Sequence, residues 1–422
     1  SKSDRSARAI DRVQLPADPL GGREDTGRPR PSASRSGRGM GFSYISDSGR
    51  KRLPQYAYKG KDRSLFYAYV SSPACDWLVE FIPKWVAPNL ITFIGLLVMA
   101  AGHAVVVSHA PDLHGEVPAW VCVLQAIAGL TYQTLDNLDG KQARRTKTSS
   151  PLGLLFDHGV DALVVTVGGL SLAAIFQLGQ TWMTLVFWIS GATGFFMASW
   201  EEYYTDTFDL PPINGPSEGI LIFTALELLT AWKGVGIWTS CSIFPGVQNN
   251  AFMVVCLLLG SWATVLGNVR AVFAAPHRRH VMKVHFLRAL SKILPFVALN
   301  FLAFLWLKVS KRNIMVLHPR LVIWTLGLCF AKLVMLLIVA HACAEEYHPW
   351  RRSLMPIFFM AAHLGYSMVQ NSYSGLDDKQ IIESLFAVSV LAYGHMAYSL
   401  VNDCCEILDI NCFTIKKKEK RT

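Results

Sequence analysis

Apolar residues gather along this chain in long runs, at about 88–109, 118–138, 152–177, 180–200, 218–236, 250–273, 289–309, 319–342, 353–370 and 380–402. Each run is close to the roughly 20 residues that an α-helix needs to cross the hydrocarbon core of a bilayer. The pattern predicts an all-α polytopic membrane protein with about ten transmembrane helices. An even number of crossings puts both termini on one side.

The polar stretches divide the chain further. Residues 1–40 are rich in Arg, Ser, Pro, Gly and Asp with almost no aromatics, and the composition predicts a disordered basic tail reaching to about residue 54. No apolar core follows its first charges, so no signal peptide is read there. Between 55 and 87, Tyr, Phe and Trp alternate with Lys and Asp, as in an amphipathic segment lying at the membrane interface. Basic groups mark one face: the N-terminal tail, Lys141 to Lys147, His277-Arg278-Arg279, Arg351-Arg352 and the tail 405–422 with Lys416-Lys417-Lys418. The acids from Asp112 to Glu116 and Asp377-Asp378 mark the other. The positive-inside rule makes the first face, with both termini, cytosolic. Lys308, Lys311, Arg312 and Arg320 run against this assignment.

Composition agrees with the pattern. Of 422 residues, 52% are hydrophobic and 17% charged, whereas a soluble domain is nearer a quarter charged. The net charge of +10 suits contact with anionic lipid. No basic array interleaved with aromatics indicates a nucleic-acid partner. The nine cysteines are scattered without a CxxC and read as small buried hydrophobes, with Cys404-Cys405 a candidate for palmitoylation.

The chemistry is concentrated in Asp136-Asn-Leu-Asp139-Gly140-Lys-Gln-Ala143-Arg144 and Gly153-Leu-Leu-Phe-Asp157-His158-Gly-Val-Asp161. Asp136 and Asp139 are i,i+3, and Asp157 and Asp161 are i,i+4, so each pair shares a helix face. Ser150 before Pro151 is a helix start, which makes the intervening residues a short turn between antiparallel helices and sets the two pairs opposite each other. Acids beside a bilayer need partners, and one nearby Arg cannot neutralise four of them. Hard oxygen ligands without a His/Cys cage favour Mg²⁺, Mn²⁺ or Ca²⁺ over zinc. Gly140, Ala143 and Gly153 leave room for close helix packing or for a bulky ligand.

Asp139-Gly-x2-Ala-Arg-x8-Gly-x3-Asp-x3-Asp, extended by Asp136, resembles the signature of the CDP-alcohol phosphotransferase family at every defined position. The flanking Gly140-Lys-Gln-Ala-Arg-Arg-Thr, Ser149-Ser-Pro-Leu-Gly and Phe156-Asp-His-Gly, and Ala87-Pro-Asn-Leu-Ile-Thr in the first run, resemble the eukaryotic choline/ethanolamine phosphotransferases. The resemblance implies transfer of phosphocholine or phosphoethanolamine from CDP-choline or CDP-ethanolamine to diacylglycerol. It implies two Mg²⁺ or Mn²⁺ ions, one on Asp136, Asp139 and Asp157 and the other on Asp136, Asp157 and Asp161, with Arg144 on the phosphate side. It further implies catalytic helices over 88–273, additional crossings over 274–404, a homodimer, and the endoplasmic reticulum or Golgi as location. Lys418-x-Lys420 has the form of a dilysine retrieval signal, or of a plain basic tail.

The base is open at this point. Asp161 is the family's usual candidate. His158 lies between the two Asp residues and carries an imidazole, a common general base, and Glu218 could orient it; otherwise His158 is a plain helix residue and Glu218 a first-turn acid. Asn89 contacts cytidine or phosphate, or else caps its helix. Glu201-Glu202 ends a crossing and reads as solvated. Two rivals remain: another CDP-alcohol phosphatidyltransferase, such as an inositol-using one, and a cation transporter, although neither internal repeats nor matching broken helices are found.

Overall fold

The computed structural model describes residues 43–212, 215–274, 286–310, 313–348, 355–369 and 378–416. Helices dominate. Short α1 (Asp47–Arg52) and α2 (Ser72–Leu78) precede α3 (Pro88–His109), α4 (Ala119–Thr146), α5 (Pro151–Ile175), α6 (Trp182–Thr205), α7 (Ile220–Lys233), the single turn α8 (Gly236–Thr239) and α9 (Asn249–Ala274). Then come α10 (Phe286–Ser291), α11 (Leu294–Val309), the single turn α12 (Ile314–Leu317), α13 (Pro319–Ala342), α14 (Met355–Val369) and α15 (Asp378–Leu408).

Every one of the ten apolar runs coincides with a helix, so the fold is an all-α multi-pass membrane protein. Among the described residues, six helices, α3, α5, α6, α9, α13 and α15, are long and apolar enough by themselves to cross a bilayer. Helix α4 has the length but carries the acidic motif, and α7, α11 and α14 are shorter, so an exact count of ten crossings does not follow from length and composition.

Packing follows the small residues, as expected where lipid removes the hydrophobic drive between helices and close van der Waals contact takes over. Helix α13 is the centre: 94% of its apolar window is buried, against 11% for the peripheral α9. A Cβ on Gly327 of α13 would stand 2.3 Å from Thr166 Oγ1 of α5, so only glycine admits this crossing. Gly95 and Gly102 of α3 do the same against Tyr132 and Gln125 of α4, where a Cβ would lie at 3.1 and 2.7 Å.

Several expectations shift. The expected disordered tail is structured at its end: α1 is capped by Ser46, Leu53 is fully buried, and Arg50 Nη2 pairs with Asp403 Oδ1 of α15 at 3.0 Å; residues 1–42 lie outside the described residues. At the other terminus α15 runs to Leu408, and the chain then folds back, with Phe413 packed on Phe93 and Phe156 and a bridge between Val86 and Thr414. The interfacial segment contains a strand, β1 (Gly60–Asp62), paired in parallel with β2 (Phe208–Leu210) in the register Gly60↔Phe208. Beyond it, Cys75 and Val79 pack against Ile91 and Leu138, while Tyr69, Trp77, Phe81 and Trp85 stay exposed.

Arg320, one of the charges against the topology reading, is held by backbone just after α3. Its Nη2 and Nε donate to the carbonyls of Ala110 and Pro111, at 2.6 and 2.8 Å. It is therefore engaged with the chain rather than sitting as a free loop charge. Cys404 is buried, which removes it as an acylation site, while Cys241 and Cys256 are exposed, unlike the other cysteines' expected burial. Lys311, Arg312, His277 to Arg279, Arg351, Arg352, Asp377 and Lys417 to Lys420 lie outside the described residues.

Candidate active site

Ser150 Oγ accepts from Gly153 N at 3.3 Å with Pro151 at the first helical position, so α5 starts where the sequence places it. Helices α4 and α5 thus form a tight hairpin that brings Asp136, Asp139, Asp157 and Asp161 to one end of the bundle. All four are partly exposed, so the cluster opens to one side. Asp139 Oδ2 accepts from the Thr92 hydroxyl of α3, and Asp161 Oδ1 from the Tyr132 hydroxyl of α4. Asp136 Oδ1 and Asp157 Oδ1 are buried atoms without a hydrogen-bond partner. Two bare carboxylate oxygens among four acids cost free energy unless a cation satisfies them. Carboxylate oxygens are the donors that hard divalent ions prefer.

The motif glycines have no close neighbours. A Cβ on Gly140 would meet only Arg144 Nη1, at 3.5 Å. On Gly153 its neighbours would be Asn89 Oδ1 and Ser150 Oγ, at 3.8 and 3.9 Å. Helix packing therefore does not require glycine at 140 or 153, whereas Gly95, Gly102 and Gly327 make room for helices. Ala143 is partly exposed beside them, and Arg144 is exposed with no hydrogen bond or ion pair among the described residues. Asn89 is not a cap: Ala87 holds that position. Its side chain is buried, and Nδ2 donates to Cys412 Sγ at 3.7 Å.

His158 lies under a cap made of distant pieces. Its ring meets Phe208 at 5.2 Å, Phe195 at 5.9 Å and Tyr58 at 6.3 Å between centroids. Both imidazole nitrogens are buried without a hydrogen bond. One ligand atom each from Asp157, His158 and Asp161 fall within 4.8 Å of one another, so His158 shares the carboxylates' space. The expected pairing with Glu218 is not made. Instead Glu218 Oε1 accepts from Ser64 Oγ at 2.5 Å, and Ser217 Oγ donates to Asp62 Oδ2 at 2.7 Å. Gln133 of α4 holds the same turn through the carbonyl of Pro216 at 2.8 Å. Glu218 thus ties the cap down.

Glu202 also departs from its expectation. It is 2% exposed, accepts from Tyr56 OH at 3.4 Å and lies 3.7 Å from His341 Nε2. Two basic residues of the motif act as clamps: Lys141 Nζ pairs with Asp76 at 2.6 Å, and Arg145 Nη1 donates to the carbonyls of Val79 and Ile82 at 2.8 and 2.6 Å. They fasten the interfacial segment to α4. Sequence reasoning missed Thr92 and Tyr132. Tyr132 stands four residues before Asp136 and so shares its face, which was the available signal.

A profile of the CDP-alcohol phosphatidyltransferase family matches residues 85–244, the stretch that contains the four acids and Glu218. The chain is similar to choline/ethanolaminephosphotransferase 1 of Arabidopsis thaliana, 32% identical over 393 residues that cover 90% of this chain and 100% of that one. It is 33% identical to cholinephosphotransferase 1 of Danio rerio over 306 residues, 71% of this chain and 78% of that one. It is 26% identical to ethanolaminephosphotransferase 1 of Mus musculus over 388 residues, 89% and 96% of the two chains. Identity at this level, sustained over nine-tenths of its length, makes the chain a member of the CDP-alcohol phosphotransferase family of membrane enzymes.

Proposed function

We propose that the protein transfers phosphocholine or phosphoethanolamine from CDP-choline or CDP-ethanolamine to the free hydroxyl of diacylglycerol, releasing CMP and phosphatidylcholine or phosphatidylethanolamine. The observation that carries the reading is the pair of buried, unpartnered oxygens on Asp136 and Asp157 within the four-acid cluster. Mg²⁺ or Mn²⁺ held by Asp136, Asp139, Asp157 and Asp161 would supply charge neutralisation and polarisation of a pyrophosphate when bound. The remaining steps belong to the chain. Arg144 offers a permanently charged planar donor to a phosphate oxygen, and Gly140, Ala143, Gly153 and Asn89 shape the space beside it. An imidazole nitrogen of His158, free of other hydrogen bonds, takes the proton from the diacylglycerol hydroxyl. The new phosphorus–oxygen bond forms as the bond to CMP breaks, and CMP leaves with the bridging oxygen. Asp161 is the weaker base, because one of its oxygens is already occupied by Tyr132.

The exposed aromatics of the interfacial segment and the lipid-facing helices suit a hydrophobic acceptor arriving through the bilayer. The motif end faces the cytosolic side of the endoplasmic reticulum or Golgi membrane, where CDP-alcohols are dissolved. Purified protein in lipid, supplied with diacylglycerol and each CDP-alcohol in turn, tests the reading: CMP and the matching phospholipid should appear in equal amounts. Neither product from either donor would overturn it.

A further inference from the structure

Within the acid cluster, hydroxyls fasten two of the carboxylates, while Asp157 Oδ2 lies 3.5 Å from His158 Nδ1. Thr92 of α3 donates its hydroxyl to Asp139 Oδ2, and Tyr132 of α4 donates across to Asp161 Oδ1 on α5. No such contact reaches Oδ1 of Asp136 or Asp157. The fastening groups are neutral. A Lys or Arg in either place would orient its acid too, but it would also cancel the charge that attracts a cation. A hydroxyl fixes one oxygen and leaves the remaining lone pairs and the full charge available.

The surroundings are built for these contacts. The Tyr132 ring is 5% exposed and packs with Met99, Val160 and Val167. Gly95 makes space for it, since a Cβ there would approach Tyr132 Cδ2 to 3.1 Å. Thr92 joins α3 to α4 and Tyr132 joins α4 to α5, so the outer acids are oriented by contacts between helices rather than by their own helix alone.

We propose that Thr92 and Tyr132 are positioning residues that hold Asp139 and Asp161 ready for divalent ions, while Asp136 and Asp157 keep bare oxygens for the ions to share. The inference rests on the divalent-ion reading above. Removing a partner of a ligating group typically lowers metal affinity on the order of 10–100-fold.

The test is Mn²⁺ binding to the full-length protein in lipid nanodiscs without substrate, read from the electron paramagnetic resonance signal of free Mn²⁺. Tyr132→Phe keeps the ring and loses the hydroxyl, and Thr92→Val keeps the shape and loses the hydroxyl. Each should weaken Mn²⁺ binding by about 10–100-fold, while Thr92→Ser, which restores a hydroxyl, should bind as the wild type does. If Tyr132→Phe does not fold, the Thr92→Val and Thr92→Ser pair decides. Wild-type affinity in the hydroxyl-free variants overturns the proposal while leaving the ion site standing. A wild-type protein that binds no Mn²⁺ overturns the ion site itself, and this proposal with it.

Discussion

The acid cluster and the cap over it are built on opposite principles. Asp136, Asp139, Asp157 and Asp161 stand on one helical hairpin, so helix geometry and a short turn set their spacing. The cap is assembled from afar: Ser64 meets Glu218 across 154 residues and Asp62 meets Ser217 across 155. The lesson is a division of labour. The part that carries fixed charge is local and rigid, and the part that encloses His158 is held by a few long-range hydrogen bonds and one small strand pair.

The largest effect that this comparison predicts is on the hairpin. Asp136→Ala or Asp157→Ala should abolish turnover while the protein still folds, because a repelling acid is removed along with a ligand. Turnover near the wild-type rate in either variant, at saturating Mg²⁺, would break the assignment of chemistry to the hairpin. Next comes the cap. His158→Ala should slow turnover by about 10²–10⁴-fold, the usual cost of losing a general base, with CDP-alcohol binding retained. Glu218→Ala should cost less. Its loss should add to that of His158→Ala, because it anchors Ser64 rather than the imidazole. A clearly non-additive double variant would instead show the two acting as a unit.

Smaller effects fall on stability. Gly327→Ala would force a methyl to within 2.3 Å of Thr166 Oγ1, and overpacking of that kind costs about 1–3 kcal/mol. Thermal unfolding in detergent should show it, and an unchanged midpoint would mean that α5 is not clamped by α13. The smallest effect lies at the surface, at Glu346. Hydrogen bonds from Arg288 and then Lys292 hold the Glu346 carboxyl down at about 2. Because that value is depressed, the stabilisation is present above the unfolded carboxylate's value of about 4.3 and is lost as pH falls from there through about 2. The group is exposed, so the contribution is at most about 1 kcal/mol. Glu346→Gln should lower the midpoint slightly at pH 7, with the difference from wild type shrinking below pH 4.3 or so.

The same division explains what could be read from the chain. Ten apolar runs mark ten helices because each run reports on its own segment, and the four acids are legible because i,i+3 and i,i+4 spacing is local. Ser150-Pro151 announced the start of α5 for the same reason. The strand pair β1–β2, the tie from Glu218 to Ser64, and the contact of Asn89 with Cys412 across 323 residues left no periodic trace. Glu202 was misread because adjacent acids at a helix end look solvated, and nothing nearby in sequence points to His341. The partners of Arg320 left no trace in the sequence because they are backbone carbonyls, which any residue supplies.

The most direct test of the central claim, that the hairpin's carboxylates work by holding divalent ions, is a titration of CMP release. Purified protein with diacylglycerol and a CDP-alcohol would be stripped with EDTA and then given Mg²⁺, Mn²⁺ or Ca²⁺. The account predicts that release vanishes with EDTA and returns with Mg²⁺ or Mn²⁺. It should return poorly with Ca²⁺, whose looser coordination misplaces the phosphate. CMP release that continues unchanged in EDTA would contradict it.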